Sequence, residues 1–162
     1  MSGGRRCDLH THTVHSDGTL TPRELVALAS EIGLSCLAVT DHDTLSGIED
    51  AQKAGREMGV EVISGVEISA RFEPGTLHIL GYFLDQNSRK LGEGLRVVQE
   101  ARSARNPLIV ERLRAIGIDI SLDEVRKESG GGQVGRPHFA RVLVKKGYVR
   151  SFEEAFDRYL TK

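Results

Sequence analysis

Six side chains of metal-binding type lie in the first half of the chain: His10, His12, Asp17, His42, Glu67 and His78. His10 and His12 are two residues apart, so on a β-strand they lie on one face, about 6–7 Å apart, and can converge on one cation. Mixed imidazole and carboxylate ligands suit Zn²⁺, Mn²⁺ or Fe²⁺. Six ligands exceed what one structural zinc ion needs. Because Glu67 could bridge two metals, and paired metals activate water and hold a phosphoryl oxygen, the pattern predicts a hydrolytic metal site.

Taken singly, these motifs have plain structural explanations. Two histidines in alternation on a strand are usually incidental, and Asp17-Gly18 is typical of a turn. A glutamate at a strand end, such as Glu67, is often a paired carboxylate. The run of Asp41 to Asp43 directly after an apolar strand has no such ready explanation. Together the four segments at matching strand ends favour a metal site.

The six residues fall near the ends of predicted strands. Apolar runs predict strands at residues 7–12, 36–40, 60–68 and 78–84. Capping boxes that begin at Thr21 and Ser46 predict the intervening helices, the second ending at Gly59. The order βαβαββ indicates a mainly parallel sheet with right-handed crossovers. A turn at residues 73–75 would return His78 to the C-terminal rim, where α/β proteins place their sites.

The second half of the chain has a helical pattern, and no further strand is predicted after residue 84. Pro107 interrupts the first helical run and is expected to kink it or split it in two. Capping boxes at Ser121 and Ser151 begin two more helices, and a helix opens at Arg136. The predicted fold class is α/β: the first strands and helices of a barrel at residues 1–88, then a small helical module at residues 89–162.

Composition narrows the class of protein. The sequence is 28% charged and 39% hydrophobic, a composition that suits one soluble domain or part of a larger one. Its 162 residues are too few for a complete (β/α) barrel, which needs ~200 residues. No apolar run approaches the ~18 residues of a membrane span, and no secretory signal begins the chain. Cys7 and Cys36 are expected to be reduced and buried, so the sequence predicts a cytoplasmic protein. A net charge of −1 argues against a strongly electrostatic nucleic-acid binder.

Four segments closely resemble the PHP (polymerase and histidinol phosphatase) family. They read DLHTHTVHSDGTLTP at residues 8–22, AVTDHDT at 38–44, GVEIS at 65–69 and LHILGY at 77–82. The resemblance extends through GRPHFAR at residues 135–141 to Tyr159 and Leu160, which look like the helical insertion of one branch. That branch contains 3′,5′-nucleoside bisphosphate phosphatases, AMP phosphatases and a 5′→3′ exoribonuclease that acts on short RNA.

The resemblance implies a distorted (β/α)₇ barrel with up to three metal ions, Mn, Fe or Zn, on its rim. By motif, His10 and His12 would bind the first metal and Glu67 would bridge it to the second. His78 would then bind the second metal, and Asp17 and His42 the third. The family has three further ligands, in a later Ala-His-Pro segment and a terminal Asp-x-His segment, which have no counterpart among these 162 residues.

Two residues of the insertion, Arg136 and His138, are interpreted as contacts to the substrate phosphate. An arginine offers two parallel donors to phosphate, and a helix start adds backbone N–H groups. The alternative is that Arg136 is a solvated arginine and His138 a helix cap. Near the metals, Glu67 and Asp43 are the candidate catalytic residues. Asp43 would orient His42 or another ligand, or alternatively cap the approach to a helix.

The sequence thus predicts a metal-dependent phosphoesterase that hydrolyses a phosphate ester of a nucleotide, a nucleoside bisphosphate or short RNA with metal-activated water. The alternative is an incomplete, inactive PHP fragment that serves as a metal-binding or partner-assembly module. Under that alternative, the unpaired edge of the last strand is expected to promote self-association or pairing with a missing C-terminal half.

Overall fold

A four-stranded sheet forms the framework of the first part of the molecule. The structure, a computed structural model, describes residues 5–73 and 76–161. Its first elements are β1 (Cys7–Thr11), α1 (Pro22–Glu31), β2 (Cys36–Val39), α2 (Ile48–Met58), β3 (Glu61–Arg71) and β4 (Thr76–Tyr82). The strand order is β1-β2-β3-β4, with two parallel pairs followed by an antiparallel one. The predicted βαβαββ order is therefore confirmed, while Pro74 and Gly75 of the predicted turn lie outside the described residues.

Strand β2 is the buried centre of this sheet. All four of its residues are buried, and Leu37 and Val39 pack with Val26 of α1 and with Ile48 and Ala51 of α2. A strand covered by crossover helices is expected to be apolar throughout, which explains its continuous apolar run. In contrast, β1 lies at an edge of the sheet and most of its residues are exposed.

The helix boundaries in this unit follow local hydrogen-bonding rules, with one correction. Thr21 caps α1 in the predicted capping box with Glu24. The capping box predicted at Ser46 is wrong: α2 is preceded by Gly47 without a side-chain cap, and the Ser46 hydroxyl instead lies 2.9 Å from that of Thr44. Gly59 ends α2 in the left-handed conformation, φ 72°, as predicted.

The chain divides into two compact units, one up to Val98 and the other from Gln99. The division falls inside α3 (Arg89–Ala115), whereas the domain boundary at residue 88 stays a prediction. This helix is continuous over 27 residues with Pro107 inside it, so the predicted split is wrong. Proline removes one backbone donor, and the hydrogen bonds on either side suffice to continue the helix.

The second unit is helical. It contains α4 (Leu122–Glu128), α5 (Arg136–Lys145), α6 (Phe152–Ala155) and a π-helical turn over Phe156–Leu160. Its apolar core contains fully buried side chains, among them Ile120, Val125, Phe139 and Leu143. No strand follows β4 in the part of the chain that the structure describes. The α/β class and the change to a helical second half are as predicted.

Ser121 forms the predicted capping box with Glu124. The box predicted at Ser151 is only half formed: its hydroxyl accepts from the backbone N–H of Glu154, but the Glu154 carboxylate accepts from the backbone N–H of Arg150 rather than that of Ser151. No described helix is both long and apolar enough to cross a bilayer.

Both cysteines are free, but the expectation that both are buried is wrong for Cys7, which lies on the exposed edge strand. Cys36 is buried on the central strand β2. Burial, together with a hydrogen bond to Cys7, raises the pKa of the Cys36 thiol to about 11.

Candidate metal centre

The carboxylate of Glu67 lies at the centre of four imidazoles. One of its oxygens, Oε2, is 2.9 Å from Nε2 of His10 and 3.0 Å from Nε2 of His12. The same oxygen is 3.5 Å from Nδ1 of His42, and the other oxygen, Oε1, is 2.7 Å from Nδ1 of His78. Glu67 is only 4% exposed. The antiparallel strand β4 thus returns His78 to the rim, as the sequence predicts.

Asp17 joins the same cluster from the other side. Its carboxylate oxygens lie 3.4 Å from Nδ1 of His12 and 3.4 Å from Nε2 of His42. Each of these two imidazoles therefore faces Glu67 with one ring nitrogen and Asp17 with the other. All six ligands predicted from the sequence lie together.

The ligand atoms form three overlapping groups, within each of which all atoms lie within 4.8 Å of one another. The groups are His10–His12–Glu67, His12–Asp17–His42 and His42–Glu67–His78. Nδ1 of His42 is buried and has no hydrogen-bond partner among the described residues. A buried unpaired nitrogen is unfavourable, and coordination to a cation would satisfy it. The donor set and this orphaned atom fit a divalent metal such as Zn²⁺, Mn²⁺ or Fe²⁺.

The surroundings of His12 and Glu67 favour the protonation states in which these two side chains bind a metal. Burial lowers the pKa of His12, outweighing the opposite effect of Asp17, so more of its imidazole is neutral and able to donate a lone pair. Burial acts to raise the pKa of Glu67, but the hydrogen bond from His10 and the charges of the surrounding histidines outweigh it and lower the pKa overall. Glu67 is therefore an anion at neutral pH.

A tight loop after β1 brings Asp17 over His12. The backbone N–H of Gly18 donates to the carbonyl of Thr13 at 3.0 Å, which folds the loop back on itself. A Cβ atom at residue 18 would lie 2.3 Å from the carbonyl oxygen of His12. Only glycine allows this close approach, so the Asp17-Gly18 pair is both the predicted turn and part of the site.

Asp41 is a buried carboxylate that the candidate residues predicted from the sequence do not include. It is 1% exposed and accepts hydrogen bonds from the backbone N–H of Thr13 at 2.7 Å, the hydroxyl of Thr13 at 2.6 Å and the hydroxyl of Ser16 at 2.5 Å. The signal was present in the polar run that follows β2. Which aspartate of that run holds the loop depends on the path of residues 13–18, which the pattern does not specify.

Asp43 is also completely buried and has a left-handed backbone, φ 54°. Its carboxylate oxygens accept from the backbone N–H of Ser69 at 2.7 Å and from its hydroxyl at 2.8 Å. Its own N–H donates to the carbonyl of Glu67 at 2.9 Å. These contacts are made to β3, next to a ligand, and the catalytic role of Asp43 stays a prediction.

Arg136 and His138 belong to the second unit, at the start of α5. The backbone N–H of Gly135 donates to Nδ1 of His138 at 3.0 Å, and His138 is buried, which matches its interpretation as a helix cap. Burial, and then the nearby charge of Arg102, lowers the pKa of Arg136. Arg136 lines a pocket of this unit together with Tyr159 and further arginines. For both residues, contact with a substrate phosphate stays a prediction.

The family assignment rests on the length of the match. The family model for the PHP domain matches residues 8–161. The chain belongs to the PHP domain family. This confirms the resemblance seen in the sequence, and the sheet with its flanking helices is accordingly a part of the PHP barrel.

Among PHP relatives, the chain is 40% identical over 156 residues to a 5′-3′ exoribonuclease of Haemophilus influenzae, covering 96% of this chain and 57% of that protein. It is 36% identical over 155 residues to a 3′,5′-nucleoside bisphosphate phosphatase of Chromobacterium violaceum, covering 95% and 54%. A solved structure from Chromobacterium violaceum, described as an amidohydrolase with bound sulfate and no metal, superposes with a TM-score of 0.91 at 35% identity. That match covers 96% of this chain and 55% of the other. The chain spans about half the length of these relatives.

Proposed function

We propose that the protein that contains this chain is a metal-dependent phosphoesterase that hydrolyses a phosphate ester of a nucleotide or short RNA. The observation that carries this proposal is the set of three overlapping ligand groups around Glu67. Relatives named as an exoribonuclease and as a nucleoside bisphosphate phosphatase support it, since both names describe hydrolysis of a phosphate ester. The proposal includes a cytoplasmic location, which the two free cysteines support.

Each ligand group would hold one divalent metal. Glu67 contributes to two of the groups, as do His12 and His42. A metal bound here supplies Lewis-acid polarisation of water and of the phosphoryl group. The protein contributes the anionic carboxylate of Glu67, the neutral imidazole that burial favours at His12, and ligand atoms that lie within 4.8 Å of one another in each group.

Positive charge on the substrate side would come from Arg136. Its partly buried guanidinium has a planar pair of donors that matches two phosphate oxygens, and burial makes such a hydrogen bond stronger than it is in water. In this role Arg136 would orient the substrate and stabilise charge on the phosphoryl oxygens.

The substrate class follows from the shared chemistry of the relatives' substrates. A mononucleotide, a nucleoside bisphosphate and the 5′ end of a short RNA can all present a terminal phosphate. The bound sulfate of the Chromobacterium violaceum structure is a tetrahedral anion of similar shape. The net charge of −1 favours a small ligand over long nucleic acid.

The test is hydrolysis by the purified chain, stripped of metal and reloaded with Mn²⁺, Fe²⁺ or Zn²⁺, and followed as release of phosphate or, from RNA, of mononucleotides. AMP, adenosine 3′,5′-bisphosphate and a 5′-phosphorylated tetranucleotide RNA distinguish the three substrate types. We expect metal-dependent release that Glu67→Gln abolishes. Glu61→Gln is a matched control, because Glu61 lies on the same strand but is exposed.

Absence of both metal binding and phosphate release would contradict the proposal. Metal binding without release from any substrate would favour the alternative of a metal-binding or assembly module. One observation makes that alternative worth testing, since the chain spans 57% and 54% of the two named relatives.

A further inference from the structure

Two buried aspartates flank His42 in the chain. Asp41 is 1% exposed and Asp43 is fully buried, while the imidazole between them belongs to two of the three ligand groups. A buried carboxylate is costly unless its oxygens accept hydrogen bonds, so the partners of each aspartate indicate what it holds in place. Those partners belong to different parts of the chain: the loop after β1 for Asp41, and β3 for Asp43.

Asp41 holds the loop that carries Asp17. Its three hydrogen bonds, given above, all come from Thr13 and Ser16, so it fixes both ends of the loop segment that precedes Asp17. The hydroxyl of Ser16 also lies 3.3 Å from Nδ1 of His12. Asp41 is therefore connected through one serine to a ligand imidazole and through the loop backbone to a ligand carboxylate.

The surroundings of Asp41 are closely packed against Gly47, at the start of α2. A Cβ atom at residue 47 would lie 3.2 Å from Oδ2 of Asp41, 3.2 Å from the hydroxyl of Thr13 and 2.9 Å from the ring of His15. Glycine at position 47 lets the start of α2 pack directly on this hydrogen-bonded group. The loop position is thus determined by packing as well as by hydrogen bonds.

Asp43 instead holds the strands that carry Glu67 and His78. It binds Ser69 through both carboxylate oxygens, and Ser69 is the register partner of His78 in the β3–β4 pair. The backbone adds to this contact: the N–H of Asp43 donates to the carbonyl of Glu67, and the N–H of Glu67 donates to the carbonyl of Asp41. A left-handed backbone at a residue other than glycine persists only where surrounding contacts impose it, as these do.

We propose that Asp41 and Asp43 are positioning residues with separate targets, which rests on the metal-binding role of the cluster. Asp41 sets the geometry of the His12–Asp17–His42 group, and Asp43 sets that of the His42–Glu67–His78 group. Neither aspartate needs to touch a metal or the substrate for this effect. The two groups then lose affinity independently when one aspartate is changed.

The variants are chosen to remove one set of contacts at a time. Asp41→Ala removes the acceptor of all three hydrogen bonds from Thr13 and Ser16. Asp43→Gly removes both contacts to Ser69 while accepting the positive φ. Asp43→Asn tolerates that φ and can still accept from the N–H of Ser69 while donating to its hydroxyl, so it serves as the rescue variant.

The experiment is a titration of the metal-free, full 162-residue chain with Co²⁺, followed by visible absorption and by calorimetry to resolve the classes of site. Asp17→Asn and His78→Gln identify which class belongs to which ligand group. We expect Asp41→Ala to weaken the class affected by Asp17→Asn by about 10- to 100-fold, the usual effect of losing a partner that orients a ligand. Asp43→Gly should weaken the class affected by His78→Gln to a similar extent, and Asp43→Asn should restore it.

Equal weakening of every class by both variants would overturn the proposal, and so would unchanged affinities in folded variants. Where a variant at an aspartate fails to fold, the partner can be changed instead. Thr13→Val removes a hydroxyl that donates to Asp41, and Ser69→Ala removes one that donates to Asp43. Each should weaken the same class of site as the change at its aspartate. Absence of metal binding by the parent chain would overturn both this proposal and the proposed function. Metal binding with the expected class losses but no phosphate release would support the positioning roles and contradict only the phosphoesterase.

Discussion

The interiors of the two units are built from different kinds of side chain. In the first unit, buried polar groups concentrate in the segments that follow β1 and β2, where Thr13, Ser16, Asp41 and Asp43 lie, and at Glu67 on β3. In the second unit, the core is an apolar cluster, and its buried polar side chains among the described residues are those of Asn106, Ser129 and His138. Burying charge lowers stability unless every group is paired, whereas apolar packing raises it. Substitutions in the two interiors should therefore affect different measurements.

The largest effect on stability is expected in the apolar core. Phe139 is fully buried, and Phe139→Ala should lower the free energy of unfolding of the second unit by about 3–5 kcal/mol because it leaves a cavity. Urea unfolding measures this loss. The affinity of the folded chain for Mn²⁺ should not change. Phe152→Ala is the control, since Phe152 is 39% exposed and the loss there should be much smaller. Equal losses of unfolding free energy in Phe139→Ala and Phe152→Ala would contradict the expected difference between core and surface.

A glycine at the metal rim should have the next largest effect. Gly18→Ala places a methyl group against the carbonyl of His12 and forces the loop to move, at a cost of about 1–3 kcal/mol in unfolding free energy. Because the loop carries Asp17, metal affinity should fall as well. Gly92→Ala is the matched control in α3, where a Cβ meets no atom within 4 Å, and it should stabilise the chain by about 0.4–1 kcal/mol. Unaltered metal binding in Gly18→Ala would contradict the role of the loop.

Helix caps allow one kind of change to be compared in both units. Thr21→Ala in the first and Ser121→Ala in the second each remove a capping hydrogen bond. Each should lower the unfolding free energy by about 1 kcal/mol, measured by urea unfolding. Neither should alter metal affinity, because both caps stabilise helices rather than ligands. A large loss of affinity in Thr21→Ala alone would show that the metal rim depends on α1.

The smallest effect concerns pH and the second unit. The hydrogen bond from Lys146, and then those from Ser121, lower the pKa of the partly exposed Glu124 to about 2. A lowered pKa means that the stabilisation is present above pH 4.5 and is lost as the pH falls toward 2. Glu124→Gln should therefore reduce the fall in the thermal midpoint between pH 5 and pH 3. Glu111→Gln, an exposed change on α3, serves as the control. Identical pH profiles for both variants would contradict this assignment.

Period-two alternation and the rule that parallel strands end at one rim were enough to predict the six ligands. His10 and His12 lie at and just beyond the end of β1, and Glu67 lies on β3 with His78 returning beside it. The role of Asp41 could not be predicted in the same way, because it depends on a loop that folds back across the rim. The cap at Ser46 failed for a related reason, since close packing at Gly47 sets the start of α2.

The helical half was predicted less completely. Apolar spacing located its helices, but Pro107 does not split α3, because a long helix can continue past one missing backbone donor. The roles of Arg136 and His138 depend on whether bound substrate contacts the start of α5. The burial of His138 and its hydrogen bond from Gly135 match its role as a helix cap, while the phosphate contacts remain to be tested.

The central claim is that the residues around Glu67 form a metal centre. Anomalous diffraction from crystals of the chain grown with Mn²⁺ tests it most directly. The account predicts anomalous density within coordination distance of the Glu67 carboxylate and its neighbouring imidazoles, and its loss in Glu67→Gln but not in Glu61→Gln. Absence of anomalous density at these ligands at saturating Mn²⁺, or the same density in Glu67→Gln, would contradict it.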